Sequence, residues 1–348
     1  VAGDSLSGIA RQSYGSAAVT EGLYAANRDV IGASPDLLAP GMVLALPCID
    51  AEVAAATDGV ADTGADEPPP GWQVVMPPAR AAALLADDAL QPLDIRDGAR
   101  DAYLPGSLSI PYPLWRGGDG VPGRPASDAD LSARIGAAGL RLAQPILIVH
   151  DRHDEMSTGA AAYVYWVLKS AGARQVAILD GGAEGWAAAG LPADPAPATP
   201  RPYAAGIRLA ADWRATAGDV AAISAGRQKG TLLDARPASV FRRLDKAGLV
   251  LPSTIAGAQN LPNPVLFGVV RDRFDAMGML SFLKETEVNW EEAPVVTFCQ
   301  TGELAALSWL YASEVAGITD VRLYPESTQG WTAEGGVLSP PEGATGGG

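Results

Sequence analysis

Two histidines and two cysteines in 348 residues leave little room for most common catalytic arrangements. Both histidines fall in one polar run, His150-Asp151-Arg152-His153-Asp154-Glu155. So few imidazole and thiolate ligands argue against zinc; the run could hold another metal, but a solvated polar loop with no metal is the expectation. Two cysteines, Cys48 and Cys299, are too few for a disulfide scaffold to be expected, and neither histidine can be placed beside Cys299, so a Cys–His protease has little support. Basic residues are scarce as well: 25 Lys and Arg against 40 Asp and Glu give a net charge of −15. That balance argues against nucleic acid and anionic membrane surfaces as partners. No apolar run reaches the 18 or so residues of a membrane span, and nothing calls for a cofactor. The chain opens on Val1 without a signal peptide. A mature chain whose leader has been removed is the expectation, although a trimmed chain would read the same.

What is present centres on Cys299. It ends the apolar run Pro294-Val295-Val296-Thr297-Phe298, and Gln300-Thr301-Gly302 then turns into a helical stretch starting at Glu303-Leu304-Ala305. A thiol at such a strand-to-helix turn faces backbone N–H groups of a helix N-terminus, which favour the nucleophilic thiolate. A small buried hydrophobe at a strand end is the plainer alternative. Gly302 suits a turn that requires unusual backbone angles.

The chain divides by composition. Residues 1–50 form one unit in the order strand, helix, helix, strand. It opens with Gly3-Asp4-Ser5-Leu6, has Asn27-Arg28-Asp29 ending its second helix, and turns at Pro40-Gly41 into Met42-Val43-Leu44-Ala45-Leu46-Pro47. These motifs resemble a LysM module. The resemblance implies binding of peptidoglycan or a related glycan through Gly3, Asp4, Ser5, Leu6, Ser34 and Pro35. Neither the Gly3-Asp4-Ser5-Leu6 turn nor the facing Ser34-Pro35-Asp36-Leu37 turn carries an aromatic for stacking, so weak binding is expected. A periplasmic or cell-envelope location in a bacterium follows from the same resemblance. Residues 51–72, rich in Ala, Asp, Gly and Pro, read as a flexible linker.

The remainder is duplicated. Leu93-Asp94-Ile95-Arg96 recurs as Leu233-Asp234-Ala235-Arg236, and Asp180-Gly181-Gly182-Ala183-Glu184-Gly185-Trp186 recurs as Tyr324-Pro325-Glu326-Ser327-Thr328-Gln329-Gly330-Trp331. Ile146-Leu147-Ile148-Val149-His150-Asp151 recurs as Val295-Val296-Thr297-Phe298-Cys299. Apolar strands alternate with helical stretches such as Ala161–Ala171 and Leu304–Glu314, which predicts two α/β domains, each a parallel sheet flanked by helices. The expected bounds are 73–200 and 208–337, followed by a disordered tail over 338–348. In such sheets ligands sit off the carboxyl ends of the strands, where Cys299 lies.

The repeated Asp-x-Arg strand ends, the Ile255–Pro262 segment with its counterpart Tyr103–Ser107, the Cys299 loop and the closing Gly-Trp resemble tandem rhodanese domains. The resemblance implies a sulfurtransferase. Cys299 would take a sulfane sulfur from a small anion such as thiosulfate, form a persulfide and pass the sulfur to cyanide or a thiol. It further implies that backbone N–H groups of the loop, Gln300, Thr301, Gly302, Glu303, Leu304 and Ala305, hold the charged sulfur. Arg236 and Arg242 would bind substrate, and Asp151 would take the cysteine's place in a non-catalytic first domain. Phosphatases of related fold use Cys-x5-Arg, and Ala305 stands where that arginine would be. Departures from the family are Val240, where a substrate arginine is usual, and the acidic Glu303. Read as a free loop carboxylate, Glu303 is expected to repel a dianionic donor, so that Glu303→Gln, and more so Glu303→Lys, would speed thiosulfate turnover. The alternative function is a catalytically weak binding or scaffold protein of the envelope.

Overall fold

The apolar runs Ile146–Val149 and Val295–Phe298 are strands buried at every position. The structure, a computed structural model, describes residues 68–341 except 118–119, 245–250, 264–275 and 287, together with Tyr24, 27–31, Met42 and Leu44. The chain divides into two units, Val1–Asp66 and Glu67–Gly348. In the first, Tyr24 is helical and the Asn27 N–H closes on its carbonyl at 3.0 Å; one further helical turn, Arg28–Ile31, follows. The remaining residues assigned to the LysM module, among them Gly3, Asp4, Ser5, Leu6, Ser34, Pro35 and Cys48, lie outside the described residues.

The second unit holds two parallel sheets. The first comprises β1 (Val75–Met76), β2 (Gln91–Asp94), β3 (Leu108–Ser109), β4 (Ile146–Val149) and β5 (Val176–Leu179), in the order β1-β5-β4-β2-β3. The second comprises β6 (Thr231–Asp234), β7 (Gln259–Asn260), β8 (Val295–Phe298) and β9 (Val321–Leu323), in the order β7-β6-β8-β9. The duplication is thus topological as well as sequential. The counterpart of β1 shrinks to a single parallel bridge between Arg214 and Leu323.

Helices α1 (Pro78–Ala86), α2 (Asp128–Ala138), α3 (Glu155–Ser170) and α4 (Gly182–Ala188) flank the first sheet. Helices α5 (Ala217–Ser224), α6 (Ala276–Glu285), α7 (Glu303–Trp309) and α8 (Ser327–Ala333) flank the second. The period-two alternation of a strand sorts side chains between cores. Ile146 and Ile148 enter one core, whereas Leu147 and Val149 enter another with α1 and α4. The core containing Ile146 is shared by the two domains: it also holds the apolar side chains of α3 and α7. This explains why α3 is apolar nearly all round, since a helix wedged between two domains has no solvent face. Tyr165 packs on Trp309 across the boundary, ring centroids 6.2 Å apart, and separating the halves would expose such rings at roughly 1.5–3 kcal/mol each. The halves therefore fold as one unit.

Three boundaries differ from the sequence reading. Helix α3 begins at Glu155, six residues before the stretch read as helical, because Asp154 caps it through the Ser157 N–H at 2.8 Å. The end of the supposed linker is docked: Pro70 accepts from Arg80 and Trp72 packs against the outer core of the first domain. The start of the supposed disordered tail is also ordered, since Ser339 pairs with Thr254. Residues 342–348 lie outside the described residues.

Candidate active site

Strand β8 pairs with β6 so that Phe298 stands opposite Asp234, and Cys299 is the next residue beyond the sheet's carboxyl edge. Alternation sends Phe298 into the outer core and Cys299 toward the core shared by the domains. The chain then turns through Gly302, whose φ of 106° opens α7. A side chain there would be strained by the backbone angle and would meet the Pro325 carbonyl at 2.7 Å. This turn directs the Gly302 N–H at Cys299 Sγ, 3.1 Å away. On the other side Ser327 Oγ accepts from the Cys299 N–H at 3.0 Å and lies 3.9 Å from Sγ. Ser327 has a φ of 55°, uncommon for a residue with a side chain.

The thiol is 1% exposed. Burial pushes its pKa up, and the Glu303 carboxylate adds to that; the N–H groups of Ala305, Gly302 and Thr301 pull it back without reversing the rise. The helix N-terminus thus acts as the sequence suggests, but desolvation outweighs it.

Glu303 is not a free loop carboxylate. It is buried, and Arg116 of the first domain forms an ion pair with its Oε1. Tyr112 donates to the same oxygen at 3.0 Å, and Thr301 Oγ1 donates to Oε2 at 2.7 Å. The Arg116 guanidinium also donates to the Thr301 carbonyl at 2.7 Å and lies over the Tyr163 ring at 5.3 Å. Close approach of the domains depends on Gly159 of α3, where a Cβ would come within 3.0 Å of the Glu303 carbonyl. One arginine therefore neutralises the acid and fastens the loop. The expectation for Glu303→Lys is corrected accordingly, because a lysine there would face the Arg116 guanidinium. Glu303→Gln still removes a charge that raises the thiol pKa, and also leaves Arg116 without its counter-ion.

Against this geometry stand the comparisons with known proteins. The rhodanese-like domain family matches twice, over residues 77–189 and 216–334. The chain belongs to the rhodanese family. A Synechococcus elongatus protein assigned as a thiosulfate sulfurtransferase is 27% identical over 267 residues, covering 73% of this chain and 80% of that protein. SseB of Mycobacterium tuberculosis, assigned the same name, is 28% identical over 281 residues, covering 75% and 95%. In fold the chain resembles SseA from Escherichia coli, described as a 3-mercaptopyruvate sulfotransferase, with a TM-score of 0.62 at 18% identity, covering 73% of this chain and 98% of that one.

Two assignments carried over from the rhodanese resemblance change. Arg236, expected to bind substrate, is buried; its Nε donates to Asp234 Oδ1 at 2.9 Å and its Nη2 to the Ser253 carbonyl at 2.7 Å. The first domain repeats the clasp, with Arg96 bound to Asp94 and to the Ala102 carbonyl. The Asp-x-Arg repeat thus locks each strand end. Arg242 is exposed, and Val240 is 38% exposed.

The second change concerns Asp151. Asp94 stands opposite Val149 as Asp234 stands opposite Phe298, so the residue in register with Cys299 is His150. The carbonyls of His150 and Cys299 also accept from equivalent N–H groups, those of Ala183 and Thr328. The first-domain loop is one residue longer, which places Asp151 level with Cys299 only when counted back from the helix. His150 is a core residue: Nδ1 lies 3.0 Å from Ser157 Oγ and Nε2 lies 3.0 Å from the Leu179 carbonyl. Nε2 facing a carbonyl fixes the neutral tautomer that carries its proton there.

Burial pushes the His150 pKa down to about 4. The unfolded chain takes up this proton near pH 6.5, so the contribution of His150 to stability is complete above that pH. It is lost as pH falls toward 4, by roughly 3 kcal/mol in all. With only two histidines, the NMR spectrum offers a simple check. The imidazole signal that disappears in His150→Gln is expected to stay at its neutral position down to pH 5; titration near 6.5 would contradict the assignment.

Sequence reasoning missed Tyr112, Arg116 and Ser327. Only Ser327 left a trace, as the serine at the repeat position where the first half has Gly182, which also has positive φ.

Proposed function

We propose that the second domain transfers sulfane sulfur from a small anionic donor to a thiophilic acceptor. The Cys299 thiolate attacks the outer sulfur of thiosulfate, the S–S bond of the donor breaks, and sulfite leaves with the bonding electron pair. Cyanide or a thiol then attacks the outer sulfur of the persulfide and the thiolate is restored. The observation that carries this reading is the Gly302 N–H held 3.1 Å from Sγ at the carboxyl edge of a parallel sheet, where it stabilises a negative sulfur before and after transfer. The names borne by the relatives from Synechococcus and Mycobacterium support thiosulfate, and that of the structural neighbour SseA supports 3-mercaptopyruvate as a second donor to try.

Thiocyanate formation from cyanide with each donor tests this. Because the raised thiol pKa makes the thiolate a minority at neutral pH, kcat/KM is expected to keep rising with pH into the alkaline range. A pH-independent rate would contradict thiolate attack, and no thiocyanate with any donor would favour the second reading, a binding or scaffold role. The near-complete burial of Sγ is what favours that reading.

We further propose that residues 1–50 tether the enzyme to peptidoglycan in the cell envelope, a reading that rests on the LysM-like motifs. The full chain is expected to co-sediment with purified peptidoglycan, whereas a chain beginning at Glu67 stays in the supernatant with its sulfur transfer intact. Equal retention of both would remove the tether.

A further inference from the structure

The turn Tyr324-Pro325-Glu326-Ser327 presents Ser327 to Cys299, while Tyr324 and Glu326 line a separate cavity of about 270 Å³. That volume equals roughly nine liquid waters, enough for a small organic molecule. Its charged wall is incompletely satisfied. Glu326 is 3% exposed, and its Oε1 receives Arg214 Nη2 and, at 3.5 Å, Arg124 Nε, while its Oε2 has no partner. Tyr324 is 1% exposed and its hydroxyl has none either. Arg214 Nε is a third buried atom without a partner. A buried polar group left unsatisfied costs about 1–3 kcal/mol, and all three belong to residues that line this one cavity. The cavity also meets the start of α5, where Thr216 caps the Asp219 N–H and the N–H groups of Ala217 and Gly218 have no partner within the helix.

The orphan atoms define the ligand's chemistry. Arg214 Nε and the first N–H groups of α5 require an acceptor, best a carboxylate. Glu326 Oε2 requires a donor, best an ammonium, and the Tyr324 hydroxyl serves either. Arg214 and Glu326 already touch through their other atoms, so the free donor and the free acceptor lie a short span apart. Only a ligand whose opposite charges are equally close matches both. We propose that this cavity binds a small α-amino acid as its zwitterion, at a site distinct from the Cys299 loop.

Isothermal titration calorimetry on the full chain tests the proposal, using L-alanine, propionate and ethylamine at matched ionic strength. L-Alanine is expected to bind saturably at one site, with propionate and ethylamine at least tenfold weaker because each satisfies one end only. Glu326→Gln and Tyr324→Phe should each weaken L-alanine tenfold or more, and Cys299→Ser should bind it as the wild type does. Tyr324→Phe removes only the orphan hydroxyl, so it decides the matter if Glu326→Gln does not fold. No saturable heat with L-alanine would mean that ordered water fills the cavity and would overturn the proposal. So would equal binding of the three compounds, or unchanged affinity in Tyr324→Phe.

Discussion

Cys299→Ser is expected to reduce sulfur transfer to background while leaving the fold in place. A serine hydroxyl accepts the Gly302 N–H in the thiol's position and adds no volume to a tightly packed loop. Its stability should lie within about 1 kcal/mol of the wild type. The chemistry, however, needs a nucleophile that can carry a second sulfur, which an alkoxide cannot. Thiocyanate release and urea unfolding, measured on the same preparation, check both halves. Retention of more than a trace of turnover would place the reaction elsewhere, whereas loss of the fold would make the variant uninformative and shift the test to Cys299→Ala.

The second large effect is expected from the first domain. Arg116→Ala leaves Glu303 buried without its counter-ion and cuts the bond to the Thr301 carbonyl. Breaking a buried pair from one side costs about 3–5 kcal/mol, because the remaining charge stays out of water. Urea unfolding should show a loss of that order. Turnover should fall at least tenfold, since an unneutralised Glu303 raises the thiol pKa further and the loop loses its anchor. Arg116→Ala combined with Glu303→Gln should recover most of the stability, which a purely steric role for Arg116 does not predict. With Glu303→Gln measured alone as well, a double-variant loss equal to the sum of the two single losses would show that the two side chains are not energetically coupled.

These two residues mark the limit of what the sequence reveals. The strands, the sheet direction and the duplication were legible because short continuous apolar runs and repeated turn motifs are local signals. Cys299 was legible for the same reason: a strand, one thiol and a helix follow one another without interruption. The Arg116–Glu303 pair spans 187 residues, and although Glu303 stands in the Cys299 loop, Arg116 belongs to no motif, so no periodicity points to the pair. Glu303 in consequence reads as an unpaired loop carboxylate beside the thiolate that would repel the donor. The placement of Asp151 slipped by one because the first-domain loop has an extra residue and a repeat can be aligned from either end; strand register decides for His150. Arg236 was misread although the duplication held the correction. Arg96 makes the same clasp in the half that lacks the cysteine, which marks the pattern as structural.

Intact-mass analysis after a single turnover tests the central claim most directly. The chain is treated with thiosulfate, excess donor is removed, and the mass and the released sulfite are measured before cyanide is added. The persulfide account predicts one added sulfur atom per chain, located on Cys299 by peptide mapping, one sulfite released, and loss of the extra mass as thiocyanate appears. Sulfur found on Cys48 alone, or thiocyanate formed by a chain that never gains the mass, would contradict it.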